Sequence, residues 1–218
     1  MNKQTGFTLI ELAIVLVIIG LLLGGVLRGQ ELINSAKVKN MARDFQNVQV
    51  YIYGYQDKFK ALPGDDRSAA AHLGGTPLQS STGAGDGVIA GAWDGGANGT
   101  APATESGMFW QHVRLAGLAP GPTAATDLNY YPTNADGGRV GVSSVSGFSG
   151  PTGLTGAYVV CSAGILGKFA KQIDTTLDDS ETSTGSVRAY TGTSTSWSPT
   201  TGTGAVADST TYNVCMAF

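Results

Sequence analysis

The chain opens with six mostly polar residues, Met1–Gly6, and then turns apolar without a break. From Phe7 to Leu27 there are 21 residues carrying one charge, Glu11. A run of that length spans a bilayer as a helix. It is too long for the apolar core of a secretory signal, and no small-residue cleavage site follows it. After Arg28 the pattern becomes amphipathic. Ile33, Ala36, Met41, Phe45, Val48, Ile52, Tyr55 and Phe59 recur at steps averaging near the helical period, with Lys37, Lys39, Arg43, Asp44 and Asp57 on other faces. Pro63 stops the pattern and pushes Leu62 out of the helical region. The spacing predicts one helix from Phe7 to about Phe59, roughly 80 Å long at 1.5 Å per residue. Its first half needs lipid or other helices around it, and its second half needs a folded domain.

Beyond the helix the pattern breaks into short pieces. Leu62-Pro63-Gly64-Asp65-Asp66 reads as a turn, with Asp65 or Asp66 expected to cap a short helix, Ala69–Leu73, closed by Gly74-Gly75. Residues 76–104 are rich in Gly, Ser and Thr. Inside them Gly83-Ala84-Gly85-Asp86-Gly87-Val88-Ile89 has the closing part of a calcium loop, but the earlier acids are missing and Trp93 stands where the terminal Glu belongs. It reads as a turn with one acid. A helix is expected over residues 104–118, capped by Thr104 and stopped by Gly117, with Phe109, Val113 and Ala116 on one face. Trp110 reads as a packed aromatic and His112 as a satisfied core histidine. Strand-like clusters follow at Asn129–Pro132, Arg139–Val142 and Ala157–Val160, then a helix from Ile165 to Asp178 through Phe169, Ile173 and Leu177. In residues 182–211, 20 of 30 positions are Ser, Thr or Gly, and the stretch reads as loop. Ser186–Tyr190 and Thr211–Met216 flank it as a closing hairpin or sheet edge.

Charge changes the picture in one respect. Residues 1–67 carry eight Lys/Arg and six Asp/Glu, a balance of +2, and residues 68–218 carry five and ten, a balance of −5. An acidic second part argues against a nucleic-acid groove, which needs clustered cations. With two His in the chain and no Ser/His/Asp or Cys/His arrangement, the composition does not favour nucleophilic catalysis.

Gly6-Phe7-Thr8-Leu9-Ile10-Glu11, followed by the unbroken apolar run, resembles the prepilin processing site of type IV pilins and type II secretion pseudopilins. The resemblance implies a leader over residues 1–6, cleavage between Gly6 and Phe7 by prepilin peptidase, and N-methylation of Phe7. It implies that the helix over residues 7–59 spans the membrane and then forms the filament core, with residues 60–218 as an extracytoplasmic head. The expected fold is pilin-like and α+β, a long N-terminal helix packed on a small antiparallel sheet with long loops. Glu11 is the expected assembly residue, since the amine of one subunit can meet the Glu11 carboxylate of its neighbour in an apolar bundle. The common Pro about twenty residues into the mature helix is absent; Gly24-Gly25-Val26-Leu27-Arg28 stands there. Leu62-Pro-Gly-Asp, Phe109-Trp-Gln-His and Gly185-Ser-Val-Arg are similar to segments of larger prepilin-type proteins.

The implied partners are homologous pilin or pseudopilin subunits, the peptidase, an inner-membrane assembly platform and membrane lipid, with no nucleic acid. The implied location is the bacterial inner membrane as a single-pass protein, then a periplasmic pseudopilus or a cell-surface pilus. The reading is a structural subunit, not an enzyme, of the minor or larger-headed kind; the alternative is a tip adhesin or DNA-uptake binding subunit. Outside the cytoplasm Cys161 and Cys215 are expected to form a disulfide, with two free thiols as the alternative. Asp174, Asp178, Asp179 and Glu181 put four carboxylates within eight residues. Asp178 and Asp179 sit where the helix dipole repels acids, so either Arg188 or a calcium ion is expected to offset them. Arg188 is the plain candidate, and calcium at Asp174, Asp178 and Asp179 is the alternative, the one cofactor the sequence offers.

Overall fold

The computed structural model describes residues 9–81, 83–148, 153–193, 196–199 and 206–218. The chain forms two compact units, Met1–Lys37 and Val38–Phe218, and helix α1, Leu9–Phe59, contributes to both. In the first unit every Leu, Ile and Val from Leu9 to Ile33 is exposed, Leu9 at 88%. A helix apolar on all sides needs lipid or other helices as its surroundings. Among the described residues α1 is the one helix long and apolar enough to cross a membrane. Gly20, Gly24 and Gly25 have nothing within 4 Å of where a Cβ would stand, so they leave smooth patches on that surface.

In the second unit α1 is amphipathic. Val38, Met41, Ala42, Phe45, Val48, Ile52 and Tyr55 are buried, a stripe at three- and four-residue steps. Phe59 is half-buried, and Ile33 and Ala36, expected on the same stripe, are exposed residues of the first unit. Two short helices follow, α2 (Ala69–Leu73) and α3 (Glu105–Leu115). Then come β1 (Val140–Ser144), β2 (Tyr158–Leu166), α4 (Gly167–Leu177), β3 (Val187–Thr193), β4 (Ser196–Pro199) and β5 (Thr211–Ala217). The five strands form one antiparallel sheet in the order β1-β2-β5-β3-β4.

The sheet is covered on both faces, and strand alternation sorts its residues between two clusters. Val160, Val214, Met216 and Val187 join a core with Phe45, Val48 and Ile52 of α1, Phe109 and Val113 of α3, and Phe169 and Ile173 of α4. Val159, Cys161, Cys215 and Ala217 point the other way and pack with Trp93, Leu154 and Tyr190. The architecture is α+β, as the resemblance implies.

Several local expectations are corrected. Ile165 and Leu166 belong to β2 rather than to the helix after it, and α4 begins at Gly167. Ile165 sits four residues before Phe169, so its spacing imitates helix while its β-branch pairs with Tyr212 in the sheet. Asn129–Pro132 forms no strand. The Ser/Thr-rich stretch is not all loop: all of β3 and all of β4 lie in it, because Thr and Trp suit a pleated surface even where Ser dilutes the pattern. Asp65 and Asp66 do not cap α2; Ser68 occupies the N-cap position and makes no side-chain bond there. The Thr104 side chain makes no capping bond to α3 either.

Candidate functional site

Gly6 and Phe7 lie outside the described residues. Glu11 is an exposed acid in the first turn of α1, an end of the helix that favours negative charge. Cys161 and Cys215 are direct partners in the β2–β5 ladder and are joined in a disulfide, with Cα atoms 4.1 Å apart. Both are fully buried beside the Tyr190 hydroxyl.

His112 is buried, and both ring nitrogens are used. Nδ1 accepts from the Gly64 amide at 3.0 Å and Nε2 meets the Leu78 carbonyl at 2.7 Å. Burial holds it below its ordinary pKa, so the neutral ring is a bridge between α3 and two loops. Trp110 is buried in the main core. Asp66 accepts from the Tyr55 hydroxyl at 2.7 Å and from Ser68 N at 2.8 Å, and His72 Nδ1 lies 2.6 Å away. Burial raises its pKa, but the bonds from His72, Tyr55 and Ser68 outweigh that and hold it below the usual carboxylate range.

Among the described residues two groups of carboxylates remain. In the first, Asp174, Asp178 and Asp179 each offer an oxygen within 4.8 Å of the others'. Glu181, grouped with them in the sequence, is not in that set; its carboxylate accepts from Ser183. Asp178 caps the end of α4 and accepts from Val187 N at 2.8 Å, and Asp179 accepts from Glu181 N and the Thr184 hydroxyl, each at 2.9 Å. These donors hold Asp179 below its ordinary pKa, with Arg188 adding a smaller pull. Gly185, at φ +67°, gives Asp178 room: a Cβ there would stand 2.0 Å from Asp178 Oδ2. Asp174 differs from both. It is fully buried, and neither of its oxygens has a hydrogen-bond partner. Burial, reinforced by Asp179, Asp178 and Glu181, pushes its carboxyl up to about 7. A buried carboxyl with both oxygens unpartnered, close to the oxygens of two further acids, is a donor set for a hard cation.

The second group, Asp65, Asp86 and Glu105, was not legible as a unit in the sequence, since the three lie about twenty residues apart. The one signal was the acid in the Gly-rich turn at Asp86. Burial, followed by the charges of Asp65 and Asp86, raises the Glu105 pKa against hydrogen bonds from Ala90 and Ser80.

The family model of the prokaryotic N-terminal methylation motif matches residues 1–27. This motif is the prepilin signature of type IV pilins and pseudopilins. It belongs to a structural rather than an enzymatic family, and it implies processing by prepilin peptidase and assembly with other pilin subunits. With the apolar helix it indicates a membrane-anchored protein. No curated protein and no solved structure matches the chain.

Proposed function

We propose that this chain, which carries the prepilin signature at residues 1–27, is a minor or larger-headed subunit of a type IV pilus or type II secretion pseudopilus. It polymerises through α1. The observation that carries the reading is a single acid, Glu11, held four residues beyond Phe7 in an otherwise apolar run. An acid in a span costs about 2.5–3.5 kcal/mol on insertion scales, and a neighbour's Phe7 amine offsets that cost only in the assembled state. Glu11→Ala removes the charge, so membrane insertion persists, while filament addition loses its pairing. Loss of even ~1.4 kcal/mol per addition is tenfold in the equilibrium, so filament yield in the native host is expected to fall at least about tenfold. Unchanged yield from Glu11→Ala overturns the pairing.

We further propose calcium at Asp174, Asp178 and Asp179, supported by the two orphaned oxygens of buried Asp174. Full-length protein in detergent, at a calcium concentration 100-fold above Kd, gains about 2.7 kcal/mol by mass action. For a chain of this size that is about 5–10 °C in unfolding midpoint. The gain is expected to fall in Asp178→Ala/Asp179→Ala relative to the same chain in chelator. An equal calcium response in that variant removes the site.

A further inference from the structure

We infer that Asp65, Asp86 and Glu105 form a second site for a divalent hard cation, one that pins the Gly-rich segment 76–104 to the start of α3. The turn over residues 83–89 has the acid and glycines of a closing calcium loop without the acids that should precede it. The fold supplies the missing acids from elsewhere. One oxygen from each of Asp65, Asp86 and Glu105 lies within 4.8 Å of the other two.

Each ligand is held differently. Asp65 is 2% exposed and is wrapped by the turn itself, accepting from the amides of Gly85, Asp86 (3.2 Å) and Gly87 (2.8 Å). Three amide donors fix the direction of its carboxylate. Asp86 is exposed, and its Oδ1 accepts from Val88 N at 2.9 Å. Glu105 is 2% exposed; its Oε2 accepts from Ala90 N at 2.9 Å, and Ser80 also bonds the carboxylate. Glu105 Oε1 is buried with no hydrogen-bond partner.

That orphaned oxygen points into the group. A Cβ on Gly83 would lie 3.4 Å from Asp86 Oδ2 and 3.6 Å from Glu105 Oε1, so the two oxygens face the same point beside the turn. Gly83 has φ +86° and therefore keeps that space open on two counts. Among the described residues no Lys, Arg or His is ion-paired with any of the three; the nearby Arg67 donates its Nε to the Ala84 carbonyl instead. Three acids, two of them buried, without a cation and with one lone pair unspent, match the oxygen-only chemistry of Ca²⁺. Asp86, at the surface, leaves an entry path and room for waters to complete the shell.

The test is calcium binding by the full-length protein in detergent, read by titration calorimetry and by unfolding midpoint, with calcium chloride as the probe. Asp178→Ala/Asp179→Ala serves as the background, so failure at the α4 acids and failure here are separate results. In that background one calcium per chain is expected to remain. Asp86→Asn, an exposed change, is expected to weaken it at least tenfold while leaving the midpoint in chelator unchanged. Glu105→Gln keeps the acceptor for Ala90 and removes a buried charge. Its midpoint in chelator is expected to be equal to or above that of the parent, and its calcium-induced rise is expected to vanish. No calcium binding by the folded background protein at millimolar calcium overturns the inference. So does binding that survives both Asp86→Asn and Glu105→Gln.

Discussion

Replacing Cys161 and Cys215 together with Ala is expected to lower the unfolding midpoint by about 8–16 °C. The bond closes a loop of 54 residues. In the chain-entropy account a loop of that size restricts the unfolded chain by about 4 kcal/mol. A chain of this length shifts by some 2–4 °C per kcal/mol. The two residues are ladder partners whose neighbours, Val160 with Met216 and Ser162 with Val214, continue the pairing. The variant therefore keeps its sheet and loses stability rather than fold. A midpoint within 2 °C of the parent refutes this, and so does alkylation of two free thiols in unreduced protein.

Blocking the cut at Gly6 is expected to abolish filaments altogether. On the proposed reading, cleavage between Gly6 and Phe7 creates the amine that pairs with Glu11, and an uncut chain has no amine at that depth of the apolar run. Gly6→Val should leave an intact mass that begins at Met1, with the protein retained in the membrane. The parent should be lighter by residues 1–6 and heavier by one methyl group. A parent that begins at Met1, or that is cut after residue 27, refutes the processing reading and with it the filament.

The elements that were legible in the sequence are those whose surroundings are local or uniform. The apolar run to Leu27 declares itself because every face is apolar. Met41, Phe45, Val48, Ile52 and Tyr55 declare one face because a helix repeats its environment every turn. The β5 segment was visible as well, since Tyr212 and Val214 alternate with polar neighbours. What the chain alone could not convey depends on distant partners. Ile165 fits helix spacing as well as it fits a strand, and only Tyr212 across the ladder decides it. The strand Ser196–Pro199 has too few apolar residues to stand out; its pairing with β3 makes it a strand. For the carboxylates, spacing brought Asp174 and Asp178 together because one helix and its C-cap carry them. Asp65, Asp86 and Glu105 meet through loop closure, which leaves no periodic trace. Spacing also cannot report that Asp174 and Glu105 are buried with oxygens unpaired.

The strand order has a bearing on synthesis. β5 is the last strand to be made, yet it lies between β2 and β3. Until residues 211–217 arrive, β1 with β2 and β3 with β4 are two separate ribbons, each with an open inner edge, and isolated ribbons are marginal in water. During that interval Cys161 is already present without Cys215, a lone thiol on one of those edges. Exposed edges pair with other chains, and a lone thiol in an oxidising compartment bonds with other thiols. A nascent chain stalled before residue 211 thus exposes two unpaired edges and an unpaired thiol, and the arrival of β5 buries the thiol and both edges in one step.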